Sequence, residues 1–136
     1  MKQAGVLQRD INALIGRLGH LDEIVICDAG LPIPEEIPVI DLALRPGMVP
    51  FIEVLEVLRG EIVIEGAVWA EEASEELDAT LRAAMAAWAS TGGQGVSVTQ
   101  VPHDAFKTRS QKARAVIRTG EATPYANVIL ICGVAF

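Results

Sequence analysis

The sequence predicts a single-domain α/β fold, a three-layer α/β/α sandwich built on a mainly parallel (mixed) six-stranded sheet. Three observations lead there. Six strand-like and four helix-like segments alternate along the chain, an order that favours helices packed on both faces of one sheet. The 136 residues suffice for one domain with its own core, residues 1–136. Apolar residues make up 51% of the chain but aromatics only 4%, so aliphatic layers must fill the interior.

Each element has its own signal. Leu7, Ile11, Leu14, Ile15 and Leu18 form an amphipathic stripe that predicts a helix over 7–18, which Gly19 is placed to end as a C′ residue. The apolar run 24–27 is a strand that stops at Asp28. Three prolines in "GLPIPEEIP" (30–38) fix φ and remove donors, so an ordered loop follows, then a short strand near 39–42. After Pro50, which suits a first helical turn, Phe51, Ile52, Leu55 and Leu58 recur at helical spacing until Arg59-Gly60. The nearly continuous apolar run 61–70 predicts a central strand buried on both faces. Ser74 is a good N-cap, Glu75 and Glu76 suit the positive end of the helix dipole, and Leu77, Leu81, Ala84, Met85 and Trp88 form the next stripe. "STGGQG" (90–95) reads as a turn and "VSVTQV" (96–101) as an alternating strand. A helix over 103–113 and two strands, "AVIR" and "NVILICGVAF", complete the chain around the loop "TGEATPYA".

Composition excludes several function classes. Eleven Lys and Arg against 18 Asp and Glu give a net charge of −7, which disfavours nucleic acid as a partner. No window approaches the ~20 apolar residues of a membrane span, and the N-terminus lacks a signal-length apolar segment, so a cytoplasmic protein without membrane partners is expected. Cys27 and Cys132 lie in apolar runs without metal-binding spacing and read as packed thiols of a reducing compartment. The sequence contains no GxGxxG, P-loop, GxSxG or HExxH, which removes common nucleotide, acyl-transfer and zinc chemistries.

The rare polar residues gather at element ends, where α/β sheets bind ligands. His20 follows the first helix; it either caps carbonyls there or does proton chemistry. Asp28 ends a strand before Ala-Gly, either as an Asx-turn residue or as a carboxylate facing a cleft. His103 and Lys107 are four apart and share a helix face, which presents an imidazole and an ammonium together or is simply solvated. Tyr125 and Asn127, two apart, point to the same side if the segment is extended; they offer a hydroxyl, a donor and an acceptor, the inventory that sugar hydroxyls require. Alternatively, Tyr125 is a half-buried loop anchor.

"LGHLDEIVICDAGLPIP" (18–34), "HDAFK" (103–107) and "GEATPYANVILICGVAF" (120–136) resemble the RbsD/FucU sugar mutarotase family, and "DAGLPIP" favours its ribose branch. The resemblance spans essentially the whole chain. It implies interconversion of the pyranose and furanose forms of D-ribose with no metal and no cofactor. It also implies that His20 is the acid/base residue, that Asp28 contacts the sugar, and that His103, Tyr125 and Asn127 complete the pocket, with Lys107 matching as well. Family members form ring-shaped homo-oligomers, often decamers, with each pocket at a boundary between subunits. The chemistry agrees with the residues, because ring opening needs one group that can take and return a proton near neutral pH. Asp28 is then a hydroxyl acceptor or a partner to His20. Three other readings stay open: a non-catalytic pentose-binding module, a mutarotase for another sugar such as fucose, and a purely structural oligomer subunit.

Overall fold

A computed structural model describes the whole chain, Met1–Phe136. All the elements expected from periodicity are present: α1 (Arg9–Ile15), β1 (Glu23–Cys27), β2 (Val39–Asp41), α2 (Phe51–Arg59), β3 (Ile64–Ala70), α3 (Glu75–Gly92), β4 (Ser97–Val101), α4 (His103–Ser110), β5 (Ala115–Arg118) and β6 (Val128–Cys132). They build one six-stranded sheet in the order β2-β5-β1-β6-β3-β4. β1 and β2 each pair parallel with β5, β3 pairs parallel with β4, and β6 runs antiparallel to both β1 and β3. Five strands therefore share one direction, and β6 alone opposes them.

Side-chain alternation along the strands creates two cores of unequal size. Ile24 and Ile26 of β1, Trp69 of β3 and Leu130 of β6 face the larger one, covered by α1, α2 and α3. Val25, Cys27, Val68, Val116 and Ile129 point the other way, under Phe106 of α4 and under Leu31 and Ile37 of the proline-rich loop. The three layers are thus uneven, with three helices on one face and one helix plus an ordered loop on the other. Near-continuous apolar runs such as 24–27 and 128–130 follow from burial on both faces. No helix is long and apolar enough to cross a membrane.

The element ends differ from expectation for local reasons. Helix α1 is shorter than 7–18 because the Gln8 side chain caps it, accepting from Ile11 N at 2.6 Å, while Leu7 stays exposed. Its last turn tightens through Arg17 N to Leu14 O and Leu18 N to Ile15 O, and Gly16 rather than Gly19 is the C-cap. Helix α3 instead runs through Ser90 and Thr91, whose hydroxyls donate to the carbonyls four residues back; left-handed Gly93 then ends it. Pro50 precedes α2 with extended ψ, as an N-cap rather than a helical residue.

Gly120 sits where two backbones meet. Its N–H donates to Val49 O at 2.9 Å and its carbonyl accepts from Gly47 N at 2.6 Å, and an added Cβ would collide with the Met48 carbonyl. Gly120→Ala is therefore expected to lower stability by about 1–3 kcal/mol, the usual cost of overpacking. A lower denaturant midpoint with unchanged slope would show this; an unchanged midpoint would refute it.

Candidate functional site

The five like-directed strands deliver their C-terminal ends to one edge of the sheet, and β6 begins there. Asp28 leaves β1 beside Asn127, which precedes β6; His103 opens α4 just after β4; Glu121 lies three residues beyond β5. The loop after β1 passes over the smaller core, whereas α3 passes over the larger one. Such divergence at the carboxyl edge is where open α/β sheets hold ligands. A cavity of ≈ 500 Å³ opens at this point, with Asp28, Gly30, His103, Glu121, Tyr125 and Asn127 among its lining residues.

Asp28 makes an Asx-turn and also lines the cavity. One carboxylate oxygen, Oδ1, accepts from Gly30 N at 2.9 Å, as in an Asx-turn, while Oδ2 accepts from Asn127 Nδ2 at 3.3 Å. Asn127 Oδ1 in turn accepts from the Asp28 N–H at 2.9 Å. A carboxylate has about four acceptor directions, so Asp28 keeps capacity for a ligand hydroxyl facing the cavity. Arg118 fixes the next residue by donating to the Ala29 carbonyl from Nε and Nη2, and Ala29 N donates to Glu121 O.

Tyr125 and Asn127 do not lie in an extended segment. Ala126 N donates to Thr123 O at 3.3 Å across a turn with Pro124 second and Tyr125 third, and Tyr125 has φ of 65°. Glycine ordinarily takes that third position in a type II turn. Tyr125 meets His103 edge-on with ring centroids 5.0 Å apart, and its hydroxyl has no protein partner. His103 stacks on Phe106 at 6.3 Å; its buried Nδ1 has no hydrogen-bond partner, and its backbone N–H is bound by the Glu72 carboxylate. Lys107 does not line the cavity, because its ammonium pairs with Asp104 at 2.9 Å on the outer side of α4.

His20 lies at the other edge of the sheet. The five residues of β1 separate it from Asp28, roughly 16 Å at strand rise, so the two cannot pair within one chain. It occupies the second position of a turn closed by Asp22 N to Gly19 O at 3.1 Å, and Leu21, the third residue, has φ of 67°. Leu21 and Tyr125 are the only non-glycine residues with positive φ. Each adjoins or is a residue singled out from sequence, and such strain persists only where surroundings over-determine it. Here Leu21 N donates to Cys132 O at 2.9 Å, and the Asp22 carboxylate takes Gly19 N and Arg114 Nε, both at 2.8 Å. Those donors, the Gly19 N–H first and then Arg114, hold the Asp22 carboxyl below its ordinary range. His20 Nε2 lies 2.9 Å from Glu65 Oε2.

Two residues of this arrangement have roles that their sequence context does not reveal. Glu121 lies within the motif "GEATPYAN", yet nothing in the motif marks it as capping α2 across the chain. Its Oε2 accepts from Phe51 N at 3.1 Å, and its Oε1 accepts from the Thr123 hydroxyl at 2.9 Å and the Thr123 N–H at 3.3 Å. Burial alone would raise its carboxyl, but the donors from Phe51, Thr123 and Ala122 together hold it below the ordinary range. Glu65, the partner of His20, carried no signal at all. The two thiols are buried and free, and burial pushes Cys27 up to about 12 and Cys132 up to about 11, so neither is a nucleophile at neutral pH. No three His, Cys, Asp or Glu side chains converge as a metal site requires.

A family model described as the RbsD / FucU transport protein family matches residues 1–135. The chain is 47% identical over 136 residues to a D-ribose pyranase of Halalkalibacterium halodurans, with 100% of both chains covered. It is 48% identical over 139 residues to a D-ribose pyranase of Geobacillus kaustophilus, covering 100% of this chain and 96% of that one. Among solved structures, Bacillus subtilis RbsD complexed with D-ribose matches with a TM-score of 0.87 and 38% identity over 100% of both chains. The fucose mutarotase of Streptococcus pneumoniae in complex with L-fucose shares the fold, with a TM-score of 0.80 at 24% identity over 98% of this chain and 99% of that one.

The Glu121 carboxylate makes a pH prediction. Its carboxyl is depressed in the folded state, so its contribution to stability is present above the unfolded value of about 4.3 and is lost as pH falls through the lower folded value. Glu121→Gln should cost about 1–3 kcal/mol at pH 7, by analogy with losing charge-assisted hydrogen bonds, and progressively less toward pH 3. Denaturant titrations of both proteins at several pH values would test this; a difference that stays constant with pH would refute it.

Proposed function

The chain belongs to the RbsD / FucU transport protein family, and on that footing we propose that it is a D-ribose pyranase, an isomerase that interconverts the pyranose and furanose forms of D-ribose. The observation that carries this reading is the carboxyl-edge cavity, in which Asp28, His103 and Tyr125 present polar groups suited to a small uncharged polyol. Support also comes from full-length relatives named for this activity and from the RbsD structure that holds D-ribose. The site needs no activated nucleophile. Ring opening moves one proton off the anomeric hydroxyl and one onto the ring oxygen, and the open aldehyde then recloses through the neighbouring hydroxyl.

In this reading His20 is the acid/base residue and comes from a neighbouring subunit. Its side chain is 50% exposed in the protomer, at the sheet edge opposite the cavity, and Leu21 beside it is 59% exposed. A homo-oligomeric ring, decameric as the family resemblance implies, would cover Leu21 and bring one subunit's His20 to the next subunit's Asp28. Buried thiols accord with work in a reducing cytoplasm. One observation favours a second reading: His103 is the sole imidazole in the protomer's own cavity and its ring nitrogens are unpartnered, which suits an acid/base role within a single chain.

Saturation-transfer NMR on ribose distinguishes these readings. His20→Ala is expected to remove most of the acceleration, on the order of the 10²–10⁴-fold typical of acid–base catalysis, with the assembly intact. Near-parental exchange in His20→Ala, with loss in His103→Ala, would transfer the role to His103. Asp28→Asn should chiefly weaken ribose binding, since an amide replaces one acceptor by a donor; unchanged affinity would leave Asp28 a turn residue only.

Subunit complementation tests the shared pocket. Inactive His20→Ala subunits mixed with inactive Tyr125→Ala subunits should regain activity, because some boundaries then combine an intact His20 with an intact Tyr125. No recovery after verified subunit exchange would place the whole site in one chain.

A further inference from the structure

Glu65 stands on β3 where the strand pairing breaks register. Ile64 pairs with Cys132 of β6 and Gly66 with Ile131, so Glu65 is an extra residue without a partner, a β-bulge. The bulge changes which side chains reach the core. Ala67 and Trp69 face the larger core, and strict alternation would send residue 65 there too. Because of the one-residue slip, Ile64 fills that place instead, buried in the same core as Ala67 and Trp69. Glu65 is released toward the sheet edge, where its Oε2 lies 2.9 Å from His20 Nε2. Gly66 completes the device, since a Cβ there would press on Ile131 Cδ1 at 2.9 Å.

The pair is poorly explained by stability. Its side chains are 50% and 39% exposed, and exposed ion pairs contribute little. A bulge that re-aims a carboxylate onto an imidazole has a different consequence. The hydrogen bond made by one ring nitrogen sets which tautomer the neutral ring adopts. His20 Nδ1 has no partner in the protomer, whereas Nε2 is engaged.

We propose that Glu65 is a positioning residue for His20: its carboxylate accepts the Nε2–H, fixes the ring, and leaves Nδ1 as the nitrogen that exchanges protons with the sugar. Nδ1 takes the anomeric hydroxyl proton as the C1–O bond to the ring oxygen breaks and the carbonyl forms. The electron pair of the broken bond goes to the ring oxygen, which receives the proton back from Nδ1. The Glu65 carboxylate stabilises the imidazolium between the two transfers. This rests on the acid/base assignment of His20, and the test separates the two.

Exchange kinetics as a function of ribose concentration, together with ¹⁵N spectra of labelled histidine, would be measured for the parent, Glu65→Ala, Glu65→Gln and His20→Ala. In the parent, the His20 spectrum should show Nε2 protonated in the neutral ring. Glu65→Ala should lower kcat about 10–100-fold with KM little changed, by analogy with the loss of a carboxylate that orients a metal-ligating histidine. It should also convert the His20 spectrum to a tautomer mixture. Glu65→Gln, whose amide oxygen still accepts from Nε2–H, should keep the tautomer and recover part of kcat. Unchanged kcat in Glu65→Ala, or a lower kcat with the parent tautomer retained, would overturn the positioning role while leaving His20 in place if His20→Ala is inactive. Full exchange in His20→Ala would overturn the acid/base assignment and this proposal with it.

Discussion

Asn127 is only 2% exposed, and its amide meets two groups of Asp28 at once, accepting from the backbone N–H and donating to the carboxylate. A buried amide left without these partners would be costly, so the contact constrains both segments strongly. It is possible only because β6 is inserted antiparallel between β1 and β3, which brings the residue before β6 beside the residue after β1. From that point the rest of the cavity wall follows. Ala29 is tied to Glu121, Glu121 to the start of α2, and the Pro124–Tyr125 turn to the edge of His103.

Much of this was legible in the sequence, for identifiable reasons. Helical stripes and apolar runs report burial directly, so all ten elements could be placed. Proline and glycine marked some of their ends, as Pro50 and Gly60 do for α2. Strand direction was not legible, because "VILIC" is buried on both faces and reads the same for either orientation. The uneven sharing of helices between the faces was hidden for a related reason, since a doubly buried strand does not say what covers it. End errors came from side-chain caps: the Gln8 cap shortened α1, and the Ser90 and Thr91 back-bonds lengthened α3.

The site was legible as residue types but not as geometry. Asp28, His103, Tyr125 and Asn127 converge as their positions at strand ends suggest, though Tyr125 does so through a left-handed turn rather than an extended segment. Lys107 shares a helix with His103, yet an acidic neighbour one turn away draws its charge outward. Glu65 was invisible because "EIVIEGAVWA" looks like one uninterrupted strand. A bulge leaves no mark on hydrophobic patterning when the residue that takes the buried place, here Ile64, is as apolar as its neighbours.

The two strained turns then have a common logic. Leu21 and Tyr125 lie at opposite edges of the same rigid sheet, and each shapes a turn that carries a candidate side chain, His20 in one case and Tyr125 itself in the other. β1 is buried from Ile24 to Cys27 and hydrogen-bonded on both sides, so no hinge within it can bring His20 toward Asp28. If both residues act on one sugar, the contact must join one edge of a protomer to the opposite edge of another. A surface meeting a different surface is a heterologous contact, which when repeated either closes into a ring or propagates as a filament. A ring gives every subunit a complete site, whereas a filament leaves one terminal cavity without its histidine. On that condition, a site divided between two edges of one sheet would be a physical reason for such a chain to assemble in closed form, independent of how many subunits complete the circle.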